Sequence, residues 1–167
     1  MKKENEKLFI NLAIIAVAYF GIIKPILNKT GITTSATERG EESEIKKIET
    51  APPESNPFDP KYYKSAAARR AGALLLYSAK ATELSRIIYN AMGYFSDDES
   101  AVYSVFRSLQ TKSQVSFLSE KFRQLYNIDM LEFLKRGKNQ YNPASGLNTS
   151  EIATVINIVN NLPKYRV

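Results

Sequence analysis

The sequence predicts an all-α chain in three parts: an N-terminal transmembrane helix within residues 1–27, a flexible linker over 28–58, and a compact five-helix domain over 59–167. Three observations carry this. An apolar run of sixteen residues, Leu8 to Ile23, holds one polar member, Asn11. The segment after it has no hydrophobic period and is rich in Thr, Ser, Glu and Pro. Beyond that, apolar residues recur at three- and four-residue steps, with no alternating strand pattern or hairpin signal in competition.

In the first part, Lys24 and Pro25 interrupt the apolar run and Ile26 and Leu27 extend it. Its twenty positions, residues 8–27, make about 30 Å of helix, the thickness of a bilayer's hydrocarbon core. Lys24 can reach the head groups from near the helix end, and Pro25 would kink or end the helix there. The basic start at Lys2, Lys3 and Lys7 would also suit a cleaved signal peptide. No small-x-small site follows the run at a suitable distance, however, and Ala16-Val17-Ala18 falls inside it. A core helix would have to be apolar on every face. The expectation is a retained single-pass anchor, with residues 8–27 in the bilayer. Lys2, Lys3 and Lys7 before the span, against Lys24 and Lys29 after it, favour a cytoplasmic N-terminus.

The acidic, Pro-containing linker cannot bury enough apolar area to offset its chain entropy. The one element it could hold is a short helix at Ser43–Glu49. As a flexible coil it would span about 30 Å. Asn28-Lys-Thr30 and Asn148-Thr-Ser150 match the N-glycosylation pattern, which is frequent by chance.

In the domain, Asp59-Pro60 reads as an N-cap followed by Pro at the first helical position. Leu74, Tyr77, Ala81, Leu84, Ile88 and Ala91 mark a long first helix, interrupted near Gly72 and ending around Gly93. Ser96-Asp-Asp-Glu99 and Thr111-Lys-Ser-Gln114 have the form of capping boxes for the second and third helices. Ala101, Val102, Val105, Phe106 and Leu109 share one face of the second, and Val115, Leu118, Phe122 and Leu125 point inward from the third. Asp129 opens a short fourth helix that Gly137 closes as a left-handed cap. Asn148 and Glu151 open the last helix, Ile152, Val155, Ile156, Val159 and Leu162 form its buried stripe, and Pro163 stops it.

The chain has no Cys, His or Trp. That removes disulfides, thiol nucleophiles, imidazole bases, Ser-His-Asp triads and ordinary zinc sites. Asp97, Asp98 and Glu99 are adjacent at a helix start, where they favour the dipole and cannot flank a glycosidic bond; Glu120 and Glu132 are isolated. No Gly-rich phosphate loop or Ser/Lys nucleophile pattern is present. No enzyme is expected.

The net charge of +6 divides into +2 for residues 1–27, −3 for 28–60 and +7 for 61–167. Arg69-Arg70 and Lys135-Arg136-x-Lys138 are the candidate polyanion or partner contacts. The second cluster sits at a helix C-terminus, where cations are favoured in any case. No nucleic-acid fold signature accompanies either, so nucleic acid is not an expected partner.

The runs Ala91-Met-Gly-Tyr-Phe-Ser-Asp-Asp-Glu99, Ala101-Val-Tyr-Ser-Val-Phe-Arg-Ser-Leu109, Gln124-Leu-Tyr126 and Asp129-Met-Leu-Glu-Phe-Leu134 together resemble one annexin repeat. They also resemble annexin-like single domains associated with phages and prophages of Bacteroidetes-type bacteria. The likeness covers residues 74–163 once, where annexins carry four repeats. It implies a phage virion protein, or a phage-encoded membrane component, that tethers a helical domain to a bilayer, with an unidentified capsid or envelope protein as partner. A peripheral binder of acidic lipid and a cell-wall lysis accessory are the alternatives. The family's calcium site uses glycine-rich loop carbonyls and a later acidic side chain. Here Phe95 replaces the second glycine and the later loop, Arg136-Gly-Lys-Asn139, is basic, so neither calcium nor another cofactor is expected.

Overall fold

The computed structural model describes residues 36–93, 97–139 and 145–166. Among these the chain is all-helical: α1 Ala36–Thr50, α2 Ala66–Ala71, α3 Ser78–Ala91, α4 Glu99–Arg107, α5 Lys112–Tyr126, α6 Met130–Arg136 and α7 Thr149–Asn160. No described helix is long and apolar enough to cross a membrane. The expected span at residues 8–27 lies outside the described residues.

The chain divides into two units, Met1–Gly40 and Glu41–Val167. The described part of the first is the opening of α1. Everything that follows belongs to the second, whose core brings α3 against α4 and α5, α7 against α4 and α5, and α6 against α5. Ile88, Val102, Phe106, Leu118, Phe122 and Ile156 lie at its centre, each almost wholly buried. Those residues come from the predicted inward stripes. Leu74 and Leu125 depart from them, being 39% and 41% exposed.

The linker expected over 28–58 is corrected where it is described. α1 covers Ala36–Thr50, beyond the short helix at Ser43–Glu49, and Ile45 and Ile48 pack against the core. Phe58 is 1% exposed, with its ring 5.9 Å from that of Phe106. Asn56 fixes this approach: its amide donates to the Ile48 carbonyl at 3.0 Å and its side-chain oxygen accepts from the Phe58 amide at 2.8 Å. A polar composition hides three well-placed apolar side chains.

The interruption expected near Gly72 divides the first predicted helix into α2 and α3. Asp59-Pro60 opens no helix; the Asp59 carboxylate accepts from the Lys61 amide at 2.7 Å and holds a turn. Ser65 caps α2 instead, and Gly72, at φ 63° and ψ 57°, ends it in the left-handed conformation that glycine adopts without strain. Ala73–Tyr77 is then non-helical up to α3. Long-range bonds hold it so. The Leu74 amide donates to the Tyr165 carbonyl at 2.7 Å, and the Leu74 carbonyl accepts from the Thr111 hydroxyl at 3.2 Å.

The caps follow local chemistry closely. Asp98 rather than Ser96 caps α4, accepting from the Ala101 amide at 3.0 Å; Ser96 lies outside the described residues. Thr111 caps α5 through the Gln114 amide, but the Gln114 side chain reaches back to the Gln110 amide, one residue earlier than a capping box requires. Asp129 caps α6, and Asn148 with Glu151 forms a complete capping box on α7. Gly137 ends α6 at φ 65°, but with ψ −161° it is outside the left-handed helical region. A Cβ there would stand 1.8 Å from the Ser145 carbonyl oxygen, so only glycine fits the turn.

Candidate functional site: a basic groove beside alpha2

The two basic clusters have different fates. In the second, Lys135 is ion-paired to Glu49, Arg136 lies 3.1 Å from Glu132, and the Lys138 ammonium sits 4.5 Å from the Tyr89 ring centroid. That ring is stacked on Tyr126 at 4.1 Å and on Phe133 at 5.3 Å. These cations tie α1 to α6 and cover an aromatic stack. In the first cluster, Arg69 and Arg70 are exposed in the last turn of α2 and make no ion pair among the described residues. Arg69 lines a groove of about 470 Å³ with Tyr63, Lys64, Ala68, Gly72, Ala73 and Leu75. Its small residues make the floor apolar.

The fold adds three cations that the sequence does not mark. Residues 163–166 return to the start of α5, where the Lys112 amide donates to the Pro163 carbonyl at 2.9 Å and the Ser113 amide to that of Lys164 at 3.1 Å. The first amides of α5 are therefore already satisfied. The same tail sets the Tyr165 ring 5.6 Å from Tyr62 and brings the Arg166 guanidinium to 3.7 Å from where a Cβ on Gly72 would be. Lys112, Lys164 and Arg166 thus join Arg69 and Arg70 at one end of the domain, without an ion pair among the described residues. Burial, and then the Lys164 charge, hold the Lys112 ammonium below the usual lysine range. The available signal was a Lys-Tyr-Arg tail just past a helix stop, which says nothing of where the tail goes.

Lys64 is neutralised. Its ammonium is 2.5 Å from Glu120, which also accepts from the Tyr63 hydroxyl. Burial pushes the Glu120 carboxyl up, but the Lys64 and Tyr63 hydrogen bonds outweigh it and leave the group below its ordinary value. Burial and the bond to Glu120 push the Tyr63 phenol up. Tyr62, behind it, is pushed up to about 12 by burial and by Tyr165. Glu120, isolated in the sequence, is in space the clasp between residues 63–64 and α5.

Apolar side chains are exposed beside the groove: Leu74 at 39%, Leu75 at 37% and Tyr77 at 87%. Tyr77 therefore has almost no packing role. Elsewhere the chemistry is absorbed by structure. Asp98 is held below the usual carboxylate range by the Ala101 amide it caps, and Asp97 is raised by burial with Glu99 and Asp98 close by. In the basic loop after α6, the Ser145 hydroxyl lies 2.8 Å from the Arg136 carbonyl and 3.0 Å from that of Asn139, so both oxygens face a hydroxyl. Among the described residues no group of three His, Cys, Asp or Glu could hold a metal ion. Comparison with protein-family models, curated proteins and solved structures finds no match, and the annexin resemblance rests on the sequence motifs alone.

Proposed function

We propose that this chain is a non-enzymatic, membrane-anchored interaction protein whose helical domain docks an acidic partner at the groove beside α2. One observation carries the reading. Arg69 lines the apolar-floored groove and Arg70, Lys112, Lys164 and Arg166 lie at the same end of the domain, none of the five ion-paired among the described residues, while Lys135, Arg136 and Lys138 are engaged within the fold. Residues 8–27 supply the anchor, and tethering raises the local concentration of the domain at the membrane. A virion or phage-encoded membrane, with a capsid or envelope protein as partner, is the setting that the annexin-like motifs support. Deleting residues 1–27 should leave a soluble, helical protein that no longer sediments with vesicles. A truncated protein that still floats with them would refute the anchor.

Exposed Leu74, Leu75 and Tyr77 favour a second reading, a domain that rests on acidic lipid. The chain has no Trp, so Tyr77→Trp places a single reporter on this face. In full-length protein reconstituted in acidic vesicles, quenching of that residue by brominated lipid would establish lipid contact. An unquenched, water-exposed spectrum is expected if the partner is a protein.

A further inference from the structure

We propose that the connection between α2 and α3 takes an extended acidic segment of a partner protein as an added strand, pairing through the main chain of Leu75. A partner apolar side chain enters the groove and its carboxylates meet Arg69 and the flanking cations. The proposal rests on the docking function above and specifies its ligand.

Three features combine here. First, Leu74 uses both main-chain groups inside the domain, its amide on Tyr165 and its carbonyl on Thr111. Leu75 and Leu76 make no main-chain hydrogen bond among the described residues, and Leu75 is 37% exposed. Strand addition uses such a free donor and acceptor and reads alternate side chains through adjacent pockets. Second, the pocket is adjacent: Leu75 itself lines the groove, and Ala68, Gly72 and Ala73 leave room on its floor. Third, Arg69 at the groove, with Lys112, Lys164 and Arg166 at the same end, calls for carboxylates on the ligand.

The same features disfavour a lipid surface as the occupant. A concave floor cannot wedge between acyl chains, and unpaired N–H and C=O groups at Leu75 and Leu76 would be costly in hydrocarbon. An incoming strand satisfies those of Leu75, which lie on the edge opposite the Leu74 bonds to Tyr165 and Thr111.

The test uses full-length protein in nanodiscs and a fluorescein-labelled eight-residue peptide of alternating Glu and Val, read by anisotropy. Binding is expected. It should weaken about tenfold or more when the peptide's valine amides are N-methylated, which removes donors and keeps charge. Leu75→Glu and Arg69→Glu should each weaken it by a similar factor with the circular dichroism melt unchanged. Equal binding of the N-methylated peptide would overturn main-chain pairing, and equal binding of an all-Glu peptide would overturn use of the groove. Either result would leave the docking face standing as a purely electrostatic one. Failure of every acidic peptide to bind at about 1 mM would overturn the docking function as well. Quenching of Tyr77→Trp by brominated lipid in the same nanodiscs would assign the face to lipid and overturn the proposal.

Discussion

Glu120 shows how one side chain can hold irregular backbone in place. It accepts from Tyr63 and Lys64, two residues of a stretch that forms no helix of its own, and so fixes that stretch to α5. The neighbouring Ser116 does the same through the main chain, donating to the Asp59 carbonyl at 2.6 Å and accepting from the Tyr63 amide at 3.2 Å. Because the Glu120 carboxyl is lower in the folded protein than its ordinary 4.5, its contribution is present above that pH and is lost as pH falls through the lowered value. Tyr63 has the opposite sign: its phenol is raised, so its contribution is whole at neutral pH and fades only as pH climbs past 10. Lys64 is half-exposed, which screens the ion pair and leaves about 1 kcal/mol to the two hydrogen bonds together. Glu120→Gln should therefore lower stability at pH 7 by about 1 kcal/mol, with the two denaturation curves converging as the pH drops below 4.5. A gap that persists in acid would mean the substitution acts through packing instead.

At the scale of elements, α1 and the turn after it extend the core beyond the predicted domain. Ile45 and Ile48 pack against it, Glu49 pairs with Lys135, the Ser150 hydroxyl meets Glu41 at 3.2 Å, and Phe58 is buried. Phe58→Ala removes a fully buried ring and should cost about 3 kcal/mol in urea denaturation. A cost near zero would return this stretch to the status of a linker. α3 to α7 were legible in the sequence because their signals are local: an apolar stripe every three or four residues, and caps such as Asp129 and Asn148 within one turn of the amides they satisfy. Gly72 marked where α2 and α3 part, but the extended stretch Ala73–Tyr77 was not legible, because it depends on Tyr165 and Thr111, both remote in sequence. The second buried face of α5 was hidden too. Ser113, Ser116 and Ser119 carry no apolar signal, yet all three are buried, and the hydroxyls of the first two meet backbone carbonyls of Lys164 and Asp59. The site divides in the same way. Arg69 and Arg70 stand out as neighbours, whereas Lys112, Lys164 and Arg166 converge only once the tail returns. Lys135 looked equally available, but its partner Glu49 is 86 positions away.

For the molecule as a whole, the decisive quantity is where unneutralised charge collects. Residues 61–167 carry +7, while Lys64, Lys80, Lys135 and Arg136 are already paired with carboxylates. Repulsion among the remaining cations at the α2 end opposes the folded state in the absence of a ligand; at Lys112 the Lys164 charge adds to burial in disfavouring the ammonium. Salt should therefore stabilise this protein. Raising NaCl from about 10 to about 100 mM shortens the screening length from about 30 to about 10 Å. The pairs, in direct contact at 3.1 Å or less, lie well inside both lengths and lose little. Repulsions between side chains of separate segments act over longer distances and lose more. The thermal midpoint should rise by about 2–4 °C across that range. Lys164→Glu supplies Lys112 with a counter-charge and should reduce the rise while raising the low-salt midpoint. A midpoint that falls with added salt would show that the contact pairs outweigh the cationic end, and would remove the electrostatic basis for an acidic partner there.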